Sequence, residues 1–520
     1  MLVSEQADDV SAVPSPDELQ TLPRVSDKIP ISIFTVAVAE VAERFTFRSI
    51  AGPIQNYVQN PPHSASGLPG ALGKGQATAT AMGFFFQMWC YMMPILGAHI
   101  ADSWLGRFRT ICIGTVIATT GTLLLFISAL PVSLEAGAGF PGLIVSLFII
   151  GIGTGGIKSN VGPLIAEQYG SKQPQIGKSA GGQRVILDPD ITVQTIFSRY
   201  YWITNLGSCA GLVVAWVELR VGFWAVFLMA ASTYLFALVM LFIGRNKYVK
   251  RPPQGSIVPH AAQALWTGFR NGRKMERAKP SYLAQQQRRG SARQVPWSDH
   301  FVDELQVALV ACRVLYVIPI FWLCYGTSVG NVISLAGEMN TMGLPNDLLV
   351  GSVNPVAITV CLPIFERIIY PSLRRIGIQF RPVSRMACGF IAMSGAIAIA
   401  AGIQAGMFLA FSIISFLWLI PIYVLTGISE ILALITSMEY AYTKAPRSMK
   451  SLVTSLNLVL CAVGAAIGLI ISPTSQKPMV LVQYACLSGV MLLLAAGFFV
   501  VFSKYNREEE KMNRIEREAE

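Results

Sequence analysis

The sequence predicts an all-α membrane protein, with about twelve transmembrane helices in two six-helix bundles. Three observations point there. Only 13% of the 520 residues are charged and mean hydropathy is +0.52, whereas a water-soluble protein of this size carries about a quarter charged residues. The long apolar runs lack period-two alternation, so they read as helices and not as barrel strands. One polar insert, 245–300, divides those runs six and six.

Each element follows in turn. Residues 1–29 (with SEQADD and SPDE) are polar and partly acidic, and read as a solvated tail rather than a signal peptide. A helix needs roughly 20 mostly apolar residues to cross the hydrocarbon. Runs of that kind lie near 30–58, 78–101, 108–131, 141–167, 193–217 and 222–244, a first bundle over 30–244. The insert is rich in Lys, Arg, Gln, Pro and Gly, so a loosely ordered cytoplasmic linker is expected, with a short amphipathic helix near 260–275. A second bundle over 301–504 takes the runs near 302–335, 347–371, 384–403, 407–441, 450–472 and 479–503. Residues 505–520 close the chain as a second tail.

The net charge of +11 is distributed by side. Arg107 and Arg109, then Lys172, Lys178 and Arg184, the block from Arg245 to Arg293, Arg374, Arg375, Arg381 and Arg385, then Lys444, Arg447 and Lys450 occupy one alternating set of loops. The other set contains almost no Lys or Arg. That is the positive-inside pattern, which puts both termini in the cytoplasm and assigns the basic excess to topology, not to nucleic acid. The nine cysteines stand singly in apolar segments, without metal or redox spacing. No metal site or cofactor is expected, and no nucleophile–histidine arrangement or phosphate loop suggests an enzyme.

Charge inside the membrane is the informative feature. In EVAERFTFRS, residues 40–49, Glu40, Glu43, Arg44 and Arg48 recur at spacings of three and four and share one helix face. A charge near mid-bilayer costs at least about 3 kcal/mol, so this face must look into a polar interior. One reading is a structural ion-pair cluster; the other is function, since buried pairs seldom gain stability over apolar packing. Lys158 lies in GTGGIKSNVGP in the first half, and Glu430 in YVLTGISEILALI in the second. Basic groups in one half and an acid in the other suit a zwitterion such as a peptide or amino acid. Asn205, Asn354 and Tyr91 are candidate polar contacts. His99, near the cytoplasmic end of the second helix, reads as structural.

The halves also echo one another. IADSWLGRFRT follows the second helix and IFERIIYPSLRRIG the eighth. Parallel six-helix repeats of this kind belong to the major facilitator architecture, with the substrate site at mid-membrane between halves.

The motifs resemble those of the proton-dependent oligopeptide transporters, the peptide branch of that superfamily, and look most like the fungal di- and tripeptide transporters. EVAERF (40–45) matches the family's E-x-x-E-R-F. GAHIADSWLGRFRT (97–110) is similar to its second-helix signature, and GTGGIKSNVGPLIAEQY (153–169) to its fourth-helix segment. FSRYYWITNLGS (197–208) matches loosely; LPIFER (362–367) and ISEILALITSMEYAYTKAPRSMKS (428–451) resemble fungal members. The resemblance implies a proton-coupled symporter importing di- and tripeptides by alternating access, with protons as coupling ion and no other cofactor. It gives Glu40, Glu43 and Arg44 to proton coupling, and Arg44, Lys158, Glu430, Asn205, Asn354 and Tyr91 to the substrate. Asp102, Gly106, Arg107 and Arg109 match the loop that latches the gate.

The chain departs from the family where two tyrosines are expected and Phe47 and Arg48 stand instead. Arg48 is therefore a further candidate substrate contact, and the pocket is more basic than the family's. The seventh-helix acid of many members is replaced by Gly326, Thr327 and Ser328, and of the fungal amides only Asn331 survives. Two alternatives stay open: the same machine with another anionic or zwitterionic cargo (nitrate, an organic acid, a modified peptide), or a nutrient sensor with little transport. The expected setting is the lipid bilayer of the plasma membrane, with a vacuolar membrane as alternative, and the expected working form a monomer.

Overall fold

The computed structural model describes residues 18, 22–27, 29–62, 67–169, 174–178, 183–253, 255, 257–272, 274–287, 295–377, 380–410, 414–446 and 449–519. The tail through residue 17, Lys172, Arg293 and Arg447 lie outside them. Eleven helices among the described residues are long and apolar enough to cross a bilayer. The helix that opens the first bundle, Ile31–Ala51, is the further member; its four charged side chains set it apart from that apolar set.

The first bundle runs α1 (Ile31–Ala51), continued past Gly52 and Pro53 by α2 (Ile54–Gln59), then α3 (Gln76–Ile100) and α4 (Arg107–Ser128). It goes on with α5 (Gly139–Lys158) extended by α6 (Val161–Tyr169), α7 (Pro189–Ser208) extended by α8 (Ala210–Arg220), and α9 (Phe223–Gly244). Glycines let these helices meet at backbone distance. A Cβ on Gly97 of α3 would stand 2.1 Å from the Gly155 carbonyl oxygen of α5, and one on Gly153 would stand 2.6 Å from that of Gly114 on α4. Small residues at crossings are how helices pack in lipid, where no hydrophobic force drives them together. The glycines before Lys158 thus serve close approach, and α5 stays helical through Lys158 before a turn at Ser159 and Asn160.

The segment after α9 differs from expectation. Its described part contains α10 (Ile257–Arg270) and α11 (Pro280–Gln287), and it is docked rather than loose. Ala261, Ala264, Ala278 and Trp297 are buried in the core of the second bundle, and the Trp297 indole donates to the Ala278 carbonyl at 3.0 Å. Small residues on one face of α10, where larger apolar ones would mark a buried face more plainly, explain why composition alone reads as linker.

The second bundle comprises α12 (Asp299–Ala311) leading into α13 (Ile318–Gly337), α14 (Leu348–Ile364) with α15 (Tyr370–Arg375), and α16 (Pro382–Ala410). It ends with α17 (Ile420–Ser429) and α18 (Thr436–Lys444), then α19 (Lys450–Ile471) and α20 (Met479–Ala519). The backbone of α20 stays helical beyond 503, because the terminal stretch is rich in Glu, Lys and Arg, all good helix formers. The echo between halves has a structural counterpart. One π-helical turn at Ala101–Leu105 holds Asp102, and another at Phe365–Ile369 holds Glu366 and Arg367.

The N-terminal tail is also tied down. β1 (Arg24–Val25), β2 (Gln175–Lys178) and β3 (Arg184–Leu187) form a sheet in the order β1-β3-β2. Arg24 pairs with Asp188 at 3.1 Å.

Candidate functional site

The chamber lies between the bundles. Its volume is about 220 Å³, and Arg44, Arg48, Gln55, Thr80 and Tyr91 line it from the first bundle. Trp322, Tyr325 and Glu430 line it from the second. Two guanidiniums on one wall therefore face a carboxylate on the other. The 3.6-residue period produces the first wall, since Arg44 and Arg48 are one turn apart on α1. The second wall depends on a helix irregularity: a π-helical turn at Glu430–Ile435 separates α17 from α18. Such turns insert an extra residue and re-aim side chains, often at functional sites.

Glu430 is held in place. The Asn354 amide donates to its Oε1 at 2.8 Å and reaches the Tyr325 hydroxyl at 3.5 Å. Close approach of α14 and α17 at Gly427, where a Cβ would stand 3.1 Å from Ala357 Cβ, brings Asn354 to it. Arg48 faces both Tyr325 and Glu430.

Arg44 holds the carboxylates behind the first wall. It bonds Glu40 Oε1 at 3.0–3.1 Å through two of its nitrogens and lies 3.4 Å from Glu43 Oε2. Glu40 and Glu43 are 2% and 1% exposed, and Glu40 Oε2 and both Glu43 oxygens have no hydrogen-bond donor among the described residues. A buried acceptor without a donor costs about 1–3 kcal/mol, more when charged.

The remaining sequence candidates divide. Tyr91 lines the chamber and packs against Trp322 in a tilted pair, 5.1 Å between centroids, an aromatic bridge between the bundles. Lys158 does not line it. Its Nζ lies 4.3 Å from the Tyr91 ring centre and 5.7 Å from that of Phe47, close to Arg44 and Glu43 but in no ion pair among the described residues. Asn354 acts on Glu430 and does not line the wall. Asn205 is half-buried on α7 off the lining, whereas Ser208, one turn later, is on it.

On the linker side, Arg107 pairs with Asp102 at 3.7 Å and with Glu167 at 2.6 Å. Gly106 between them has φ 76°, the left-handed region that favours glycine. Arg109 is exposed and, among the described residues, makes no ion pair in this latch. A cavity of about 690 Å³ opens there, lined by Asp102, Arg107, Glu167, Arg251 and Ser451. The far side is shut by amides and hydroxyls that cross between bundles. Gln55 donates to Ser334 at 2.9 Å, Thr80 bonds Asn331, and Asn56 and Asn346 exchange bonds at 2.9 Å. Asn331 belongs to this seal, not to the chamber wall. Gly211 of α8 and Gly351 of α14 touch, with a Cβ on Gly211 only 2.6 Å from Gly351 Cα.

Sequence reasoning missed Glu167, Tyr325, Trp322 and the sealing amides Gln55, Asn56 and Asn346; it singled out Asn331 but not its place in the seal. Glu167 was readable only as one acid near a helix end; its partner is sixty positions away.

Residues 108–487 match the model of the POT family, named PTR2. The chain belongs to the POT family. This POT-family chain is 37% identical over 529 residues to peptide transporter PTR_A of Candidozyma auris, covering 98% of this chain and 88% of that one. It is 35% identical over 519 residues to peptide transporter PTR2 of Saccharomyces cerevisiae, covering 98% and 84%. In fold it is similar to the crystal structure of the POT family transporter PepTSo, with TM-score 0.73 and 20% identity over 92% of this chain and 99% of that one. The POT-family chain is therefore a multi-pass membrane protein of major facilitator fold.

Proposed function

We propose that this chain is a proton-coupled symporter that imports di- and tripeptides by alternating access, working as a monomer in the plasma membrane with its linker side in the cytoplasm. One observation carries the reading: Arg44 and Arg48 face Glu430 across a single inter-bundle chamber. A peptide presents a carboxylate and an ammonium at opposite ends, and this spacing of opposite charges receives both. The near-full-length likeness to fungal peptide transporters supports the same cargo. In the cycle, a proton reaches Glu40 or Glu43 from outside and loosens its hold on Arg44. Arg44 then engages the substrate carboxylate with Arg48, while Glu430, positioned by Asn354, takes the amino group. Lys158 serves the cluster from behind Tyr91. The bundles rock, substrate and proton leave on the linker side, and Arg44 returns to its carboxylates. A membrane potential of about 100 mV contributes roughly 2.3 kcal/mol per charge, or about fortyfold accumulation. Dipeptide uptake into vesicles of wild type and of Glu40→Gln and Glu43→Gln tests this. Uptake indifferent to an uncoupler, or undiminished in both variants, refutes the coupling.

Arg48 favours a second reading. Two guanidiniums against one acid leave the chamber lining net positive among its described residues, which also suits nitrate, an organic acid or a modified peptide. Inhibition of uptake by such anions and not by dipeptides would select it.

A further inference from the structure

At the far-side seam two buried carboxyl groups meet across the bundles. Glu218 lies in the last turn of α8 in the first bundle, and Asp347 precedes α14 in the second. They are 2% and 4% exposed and lie within hydrogen-bonding reach of one another. Asn56 donates to Glu218 Oε1 at 2.7 Å and is itself locked to Asn346. Glu218 Oε2 and Asp347 Oδ1, in contrast, have no donor among the described residues. Among the described residues no cation forms an ion pair with either of them. Arg220, on the same helix, is exposed over the Trp216 ring at 5.9 Å. Arg48 of α1, which faces Tyr325 and Glu430 in the chamber, also lines with Asp347 and Gly52 a void of about 10 Å³, but makes no ion pair with Asp347 among the described residues. From α17, Tyr423 presents a buried hydroxyl with no partner among the described residues.

Two carboxylates in hydrogen-bond contact cannot both stay ionised in a buried site. We infer that Glu218 and Asp347 form a second proton-binding site, whose shared proton holds the two bundles together on the far side. With the proton, one carboxyl donates to the other and both orphaned oxygens are satisfied. Without it, two negative charges repel across the seam where Gly211 meets Gly351 and Asn56 meets Asn346. Far-side closure then requires a proton, and its loss reopens that side. This deepens the proton-coupled reading above, since it adds a site where protonation and gate position are the same event. It also differs from the Glu40–Glu43–Arg44 cluster, which lies within one bundle.

Spin labels report the gate without any substrate. Val132 and Leu409 are 78% and 83% exposed, one in each bundle, and carry the labels in a cysteine-depleted full-length background reconstituted in liposomes. The far-side-open fraction of otherwise wild-type protein rises from about pH 5 to about pH 8, by at most about tenfold per pH unit for one proton. Glu218→Gln keeps the oxygen that Asn56 bonds and adds an amide donor toward Asp347, so it stays closed at every pH. Asp347→Asn is the mirror test, and loss of a protonated-carboxyl infrared band in Glu218→Gln is an independent readout. A distance distribution in the parent that does not move with pH overturns the inference, as does an unaltered pH response in either variant. Because no peptide is present, a failure of peptide transport leaves this result standing, and the converse also holds.

Discussion

Glu430→Gln removes one charge and little else. Asn354 donates to Glu430 Oε1 at 2.8 Å, and a glutamine carbonyl oxygen accepts that same bond, so the side chain keeps its place. What is lost is a charge-assisted contact to the substrate ammonium in a chamber lined in part by aromatic rings. Hydrogen bonds to charged groups contribute about 1.5–3 kcal/mol, which converts to roughly 10–150-fold in apparent affinity. The loss falls on peptides with a free amino terminus. N-acetylated dipeptides never present the ammonium, so their weaker inhibition is unchanged within about twofold. The assay is competition against radiolabelled dipeptide uptake in proteoliposomes, with free and acetylated competitors run side by side. Equal losses for both competitors refute the assignment of Glu430 to the amino end.

Other consequences follow from the same geometry. Gly211→Leu puts a side chain where a Cβ already stands 2.6 Å from Gly351 Cα; the far side then stays open, transport falls at least about tenfold, and far-side cysteine labelling increases. Arg107→Ala breaks the bonds to Asp102 and Glu167 and lowers the maximal uptake rate severalfold, whereas Arg109→Ala, outside the latch, leaves uptake near wild type. Arg48→Tyr returns the family's phenol to the chamber and removes one of its two guanidiniums, so inhibition by carboxylates without an amino group weakens more than inhibition by dipeptides.

Much of this architecture was legible in the sequence because lipid imposes a simple rule. Helices of about twenty apolar residues have few alternatives in a bilayer, so twelve runs and one insert describe the bundles. The charges in EVAERFTFRS were legible for the same reason, since a membrane makes each one costly to place. Pairing was not legible. Nothing local couples Arg107 to Glu167, or Asn56 to Asn346, 290 positions away. The aim of Glu430 depends on a π-helical turn that no period in YVLTGISEILALI signals. Lys158 sat at the right depth by sequence, but α5 turns it behind Tyr91 instead of onto the wall. The docking of α10 rests on alanines and a glycine, residues whose burial carries little compositional signal. The short sheet ties Arg24–Val25, in a stretch that reads as a solvated tail, to Arg184–Leu187, more than 150 positions away, and no local pattern signals that pairing.

In the proposed cycle the inter-bundle chamber, with guanidiniums on one wall and Glu430 on the other, moves a peptide together with a proton. Proteoliposomes holding a pH-sensitive dye, clamped at zero potential, test it directly when a dipeptide is added outside. Coupled transport acidifies the lumen only when dipeptide is present, and the acidification disappears in Glu40→Gln and Glu43→Gln. Dipeptide accumulation without any movement of protons would contradict it.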